Sequence, residues 1–185
     1  MWECANNILA PEELKSMFLA KDGYERTAWR VAAEEGKIEL LHKLWEWAKE
    51  VLTREELSNN LFLAKERYER TAWHIAAEKG QIEVLHKLWV WAKKILTQEE
   101  FHNMFLGKDG EEMTAWHMAA EKGLIEVLHK LWEGAKKILT REELSNNLFL
   151  AKDRYERTAW HKAAEEGKIE VLYKLWEWAI YVLTT

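Results

Sequence analysis

Cysteine and proline each occur once in this chain, and neither charge sign is gathered into a block. Cys4 stands alone, so no disulfide can close within the chain. A reducing setting, cytoplasmic or otherwise intracellular, is the natural expectation for such a sequence. The 27 Lys and Arg are interleaved with 32 Asp and Glu, giving a formal charge of −5. Without a concentrated cationic stretch there is no phosphate-tracking surface, and nucleic acid is not an expected partner. No apolar run is long enough to span a bilayer and no signal peptide is visible, so no membrane partner is expected. Glycine-rich phosphate loops, G-x-S-x-G elbows and Cys–His signatures are missing as well. None of the seven histidines forms an H-x3-H pair. The paired carboxylates Glu12-Glu13, Glu55-Glu56, Glu99-Glu100 and Glu142-Glu143 are better explained as helix-start residues than as acid–base pairs. The expectation is therefore no enzyme, no metal and no cofactor.

What is present is tryptophan, 12 residues of it, within a string that recurs. TAWRVAAEEGKIELLHKLW from Thr27 returns with few changes from Thr71, Thr114 and Thr158, at intervals of 44, 43 and 44 residues. A fixed period in this range marks a solenoid whose units stack on their neighbours. The missing residue is traceable: LSNNL at 57–61 is matched by the shorter FHNM at 101–104. The chain divides into a partial unit over 1–26, full units over 27–70, 71–113 and 114–157, and a shortened unit over 158–185. Trp2, Ala5, Ile8 and Leu9 echo Trp45, Ala48, Val51 and Leu52.

Each unit reads as three helices. Thr27 caps a short helix over Ala28–Glu35, ended by Gly36, whose equivalents are Gly80, Gly123 and Gly167. A second helix runs from Ile38 to about Leu52, with apolar residues over half its circumference, as expected of an element packed on two sides. The third begins at Thr53, with Glu56 completing a capping box. Pro11 suits the first turn of the earliest helix of this third type. The tryptophans recur on the first and second helices and are expected in the core between units. Each buries about 150–250 Å².

The segment Ala20-Lys21-Asp22, then Thr27, Ala32, Ala33, Gly36 and Glu39, recurring from Ala64, Gly107 and Ala151, resembles the ankyrin repeat. The departures are Ala28-Trp29 where that family has proline and leucine, Arg30 in place of its histidine, and a period longer than the ankyrin value of about 33. The fold expected is thus an all-α, ankyrin-like α-solenoid of roughly 44-residue, three-helix repeats. The resemblance implies a right-handed array and a role in binding proteins. It assigns His74, His117 and His161 to hydrogen bonds that hold the preceding turn.

By position, the resemblance places partner contacts at the turn tips and on the first helices: Tyr24, Val31 and Glu35; Arg67, Tyr68, Ile75 and Lys79; Glu111, Glu112, Met118 and Lys122; Arg154, Tyr155, Lys162 and Glu166. The column Val31, Ile75, Met118 and Lys162 varies inside a copied frame, as recognition positions do; drift at solvent-facing sites is the alternative. Other departures suggest self-association, with a monomer or weak homodimer expected: Val90 among the glutamates of the polar arc, Leu124 among lysines and glutamine, and Ile180 and Tyr181 in place of charged pairs. The last two also suit a cap over the surface that a further helix would cover. Gly134 replaces Trp47, Trp91 and Trp178, leaving an indole-sized gap or a space that a neighbour fills. TREELSNNLFLAK at 53–65 recurs unchanged at 140–152, which points to consensus engineering or recent duplication. A structural scaffold with no ligand, associating through its ends, is therefore the second functional expectation beside protein binding.

Overall fold

The computed structural model describes residues 10–183, which form an all-α repeat solenoid. Trp2 and Cys4 lie outside the described residues. Helix α1 (Pro11–Phe18) precedes a first complete unit made of α2 (Ala28–Glu34), α3 (Ile38–Val51) and α4 (Arg54–Leu57). The second unit holds α5 (Ala72–Glu78), α6 (Ile82–Ile95) and α7 (Gln98–Leu106); the third holds α8 (Ala115–Lys122), α9 (Ile125–Ile138) and α10 (Arg141–Glu143). Helices α11 (Ala159–Glu165) and α12 (Ile169–Leu183) follow.

The local signals act as expected at most boundaries. Pro11 occupies the first turn of α1, and the Ala10 N–H donates to Glu13 Oε2. The Thr53, Thr97 and Thr140 hydroxyls accept from the third residue of α4, α7 and α10, while Glu56, Glu100 and Glu143 bond back to the threonine N–H. Gly36, Gly80, Gly123 and Gly167 adopt φ of 64 to 76°, the left-handed region that lets the chain turn directly into the next helix. The third helix differs from expectation. In the first and third units it passes into π-helical turns, Ser58–Phe62 and Leu144–Phe149, with Leu63 N–H bonded to Ser58 O and Leu150 N–H to Ser145 O. The second unit, one residue shorter, has a plain α-helix instead. The additional residue is absorbed as a π-turn, which keeps Leu57, Leu61 and Phe62 on the core side.

The first helices stack directly on one another, α2 on α5, α5 on α8 and α8 on α11. The α3, α6, α9 and α12 series lies beside them. Adjacent units are also tied at their third helices: Arg54 Nε donates to the Ile95 carbonyl, His102 Nε2 lies 3.1 Å from the Ile138 carbonyl, and Arg141 Nε donates to the Val182 carbonyl. These side chains satisfy carbonyls that the second helix of the following unit leaves free at its C-terminus.

Tryptophan fills the space between units. Trp29, Trp45, Trp73, Trp91, Trp116 and Trp132 are buried, and Trp47, Trp89 and Trp178 are half-buried. The expectation of a buried ring fails at the last unit, where Trp160 and Trp176 are 40% and 59% exposed. Among the described residues no further unit stacks on them.

Candidate functional site

Four turn tips rise from one edge of the array, each built on an acidic residue. Asp22 Oδ1 accepts from the N–H groups of Tyr24 and Arg26; Asp109 and Asp153 make the equivalent pairs, and Glu66 does so with a longer side chain. Glu25, Glu69, Glu112 and Glu156 take φ of 58 to 64° to complete the bend. Such left-handed non-glycine positions are uncommon, and the clamp by the acidic side chain holds them there. Successive tips also bond to each other, Gly110 N–H to Tyr68 O and Arg154 N–H to Glu111 O. The A-K-D string is legible in the sequence but the clamp is not, although an acidic residue, Asp22, Glu66, Asp109 or Asp153, stands at the same place in every unit.

Tyr24, Tyr68 and Tyr155 stand on these tips, 57–62% exposed. Behind each ring lies a guanidinium, from Arg26, Arg70 and Arg157, at 4.8–5.1 Å from the centroid. Each arginine is itself held by the acidic clamp and by Glu34, Glu78 or Glu165. The tyrosines are therefore braced without being covered. The third tip carries exposed Glu111 instead, paired with Arg154 at 2.9 Å. Here Met113 takes the arginine's place, and burial raises the Asp109 carboxyl above its usual range. Asp22 is lowered by the Arg26 N–H and side chain; in Asp153 burial pushes upward, and the hydrogen bonds from Arg157 and Tyr155 with the Arg157 charge together bring it down.

The other positions suggested for partner contact divide into two sets. Glu35, Lys79, Lys122 and Glu166 at the ends of the first helices are exposed, as are Arg67, Glu111, Glu112 and Arg154 on the tips. The column inside the first helices is not solvent-facing, contrary to expectation. Val31 is half-buried, and Ile75, Met118 and Lys162 retain 2%, 4% and 6% of their exposure. The reason is the direct stacking of α2, α5, α8 and α11, which encloses that column between helices. Lys162 is accommodated by an ion pair with Glu121. Of the positions suggested for self-association, Val90 and Leu124 pack against the core, while Ile180 and Tyr181 are exposed. Tyr181 lays its ring edge on Trp132 at 5.9 Å.

The signature histidines do more than hold a turn. His74 Nδ1 receives a hydrogen bond from Thr71, and Nε2 lies 2.8 Å from the Gly107 carbonyl; His117 joins Thr114 to the Ala151 carbonyl in the same way. A carbonyl only accepts, so Nε2 carries the proton and Nδ1 the lone pair. Burial drives both imidazoles down to about 4. Both ring nitrogens are thus engaged between one unit and the chain entering the next. His161 bonds to Thr158 and is exposed. Among the described residues no group of three or more His, Cys, Asp or Glu is placed to hold a metal ion, and no helix is long and apolar enough to cross a membrane.

The junctions between second helices complete the geometry. Trp45 stacks on Trp91 at 5.0 Å and 12°, and Trp132 stacks on Trp178 at 5.7 Å and 20°. At the middle junction the stacking residue is Gly134. A Cβ there would lie 3.0 and 3.1 Å from Cζ3 and Cη2 of Trp89, so Trp89 leans its six-membered ring onto the glycine. Beside it a cleft of about 400 Å³ remains, lined by Trp73, His86, Trp89, Lys130, Glu133 and Lys137 among others. A neighbour therefore takes part of the missing ring's space, and part stays open.

The described helices, stacked unit on unit beneath an edge of exposed turn tips, define the class: an all-α repeat protein. No protein-family model matches the chain, and no curated protein does. Solved structures do, 344 chains in all, so the fold is widely shared and does not by itself select a function. One is a chain from the crystal structure of the yeast ribosomal protein Rps3 in complex with its chaperone Yar1, with a TM-score of 0.63 and 19% identity over 90% of this chain and 92% of that one. The likeness shows a common fold.

Proposed function

We propose that this chain is a protein-recognition module of the ankyrin type that engages its partner with the turn tips and the exposed ends of the first helices. The observation that carries this is the row of exposed tyrosines, each braced from behind by a guanidinium. Tyrosine and arginine are the residues that most often dominate protein interfaces. A ring already held in place loses little freedom on binding. The similarity to a chain crystallised within a protein–protein complex supports the same reading. The buried column of Ile75, Met118 and Lys162 takes no direct part in it.

The test places a photo-crosslinking amino acid at Tyr68 and, as a control, at Lys136 on a second helix. An identified adduct should form from Tyr68, weaken at least about tenfold when Tyr24 and Tyr155 are both changed to alanine, and not form from Lys136. Equal adducts from both positions would refute the tips as the recognition surface. A second reading, a scaffold that associates through its ends, is favoured by the exposed Trp160, Ile169, Tyr173 and Trp176 in the last two helices.

A further inference from the structure

The middle junction is an indole site from which the protein's own indole is missing. Around Trp91, four groups form a box: Trp29 at 5.7 Å, His42 at 6.0 Å, Trp45 at 5.0 Å and the Lys87 ammonium at 6.0 Å from the ring. Three of the four recur around Trp178, with Trp116 at 5.8 Å, His129 at 6.2 Å and Trp132 at 5.7 Å. One repeat further along from the first box, the same four positions are Trp73, His86, Trp89 and Lys130, and the residue they should surround is Gly134. All four line the open cleft. Glycine inside a helix costs about 1 kcal/mol relative to alanine, so the substitution sacrifices both helix propensity and a ring that packs well twice elsewhere.

We propose that the Gly134 cleft binds a small, planar, bicyclic aromatic molecule of the indole class. The occupant follows from the site's own copies: twice in this chain these residue types enclose an indole, by face-to-face stacking on one tryptophan, tilted contact with another and an imidazole at the edge. At about 400 Å³ the cleft falls within the size range of small-molecule pockets. Lys130 supplies a cation for the ring face, as Lys87 does for Trp91. His86 and Glu133 on the rim offer acceptors for one ring N–H. The ligand rests on Trp89, which either keeps its lean onto Gly134 or swings back to the stacked position of Trp45. This site is independent of the turn tips.

The experiment is a titration of 5-fluoroindole followed by fluorine NMR. Wild-type protein should broaden the signal saturably with one site, and intermolecular NOEs should link the ligand to the Trp89 and His86 rings. Gly134→Trp, which restores the residue of the other junctions, should weaken binding by at least about tenfold. Trp91→Gly should create a second site, a gain that misfolding cannot imitate. No saturable broadening by wild type at millimolar ligand would overturn the proposal. So would equal binding by Gly134→Trp, or NOEs to Trp160 and Trp176, which would place the ligand on the exposed last unit. Tighter binding of N-acetyltryptophanamide than of 5-fluoroindole would make the occupant a partner's tryptophan side chain and overturn the small-molecule assignment.

Discussion

Two residues break the internal pattern in ways whose cost can be measured. Arg30 stands where His74 and His117 stand. Its Nη1 donates to the Arg70 carbonyl, but its Nε and Nη2 are buried without a hydrogen-bond partner, and the nearest carboxylate oxygen, from Glu66, is 3.8 Å from Nη2. Burial lowers its guanidinium to about 10. An imidazole there would bond to Thr27 and reach the carbonyl side of the incoming turn, as the other two do. Arg30→His should therefore stabilise the chain by about 1 kcal/mol, read as an increase in the urea midpoint; an unchanged or lower midpoint would mean that the arginine is adequately satisfied. Met113 is the second case. Asp109 binds its proton more tightly folded than unfolded, so this carboxyl favours folding in acid and detracts from it as pH rises through its raised value. Met113→Arg should supply the missing guanidinium, lower the Asp109 carboxyl as in Asp22 and Asp153, and stabilise at pH 7 by about 1 kcal/mol. The gain should vanish as the pH falls through the carboxylate range, which thermal melts at pH 7 and pH 3 would check.

At the scale of the element, helix starts and stops were legible because they are local. Thr53 with Glu56, Pro11 in a first turn and glycine at a left-handed exit each act within a few residues. The π-turns were not legible: the sequence showed that one unit is a residue shorter, but whether a loop or a helix absorbs the difference depends on keeping Leu61 and Phe62 in the core. The inward direction of Ile75 and Met118 was missed because it depends on α5 and α8 stacking face to face, a tertiary fact that a single unit's periodicity does not contain. The repeats themselves supply a test of the π-turn account. Deleting Asn59 should convert Arg54–Phe62 into a continuous α-helix like Gln98–Leu106 and shift the melting temperature by less than about 4 °C. Deleting Asn103 from the helix that has no residue to spare should cost much more. Equal losses from the two deletions would show that the π-turn is required in itself.

For the whole molecule, stability is a chain of junctions, because each unit contacts only its neighbours. Two of these junctions contain a buried neutral histidine, His74 bonded toward Gly107 and His117 toward Ala151. Their folded values of about 4 lie below the ordinary 6.5, so the unfolded chain takes up protons first as the medium acidifies. The stability they confer is complete above pH 6.5 and is lost progressively down to about pH 4, up to about 3 kcal/mol for each at the limit. His74 lies on α5 and His117 on α8, each bonded to the chain that leads into the next turn tip, so their protonation should loosen the packing around these first helices. Hydrogen exchange should show protection falling first in α5, α8 and α11 between these pH values, ahead of α3. His74→Gln with His117→Gln should be less stable at pH 7 yet show a flatter dependence over the same interval. A profile as steep as wild type in that double variant would assign the acid sensitivity to the carboxylates of the turn tips instead.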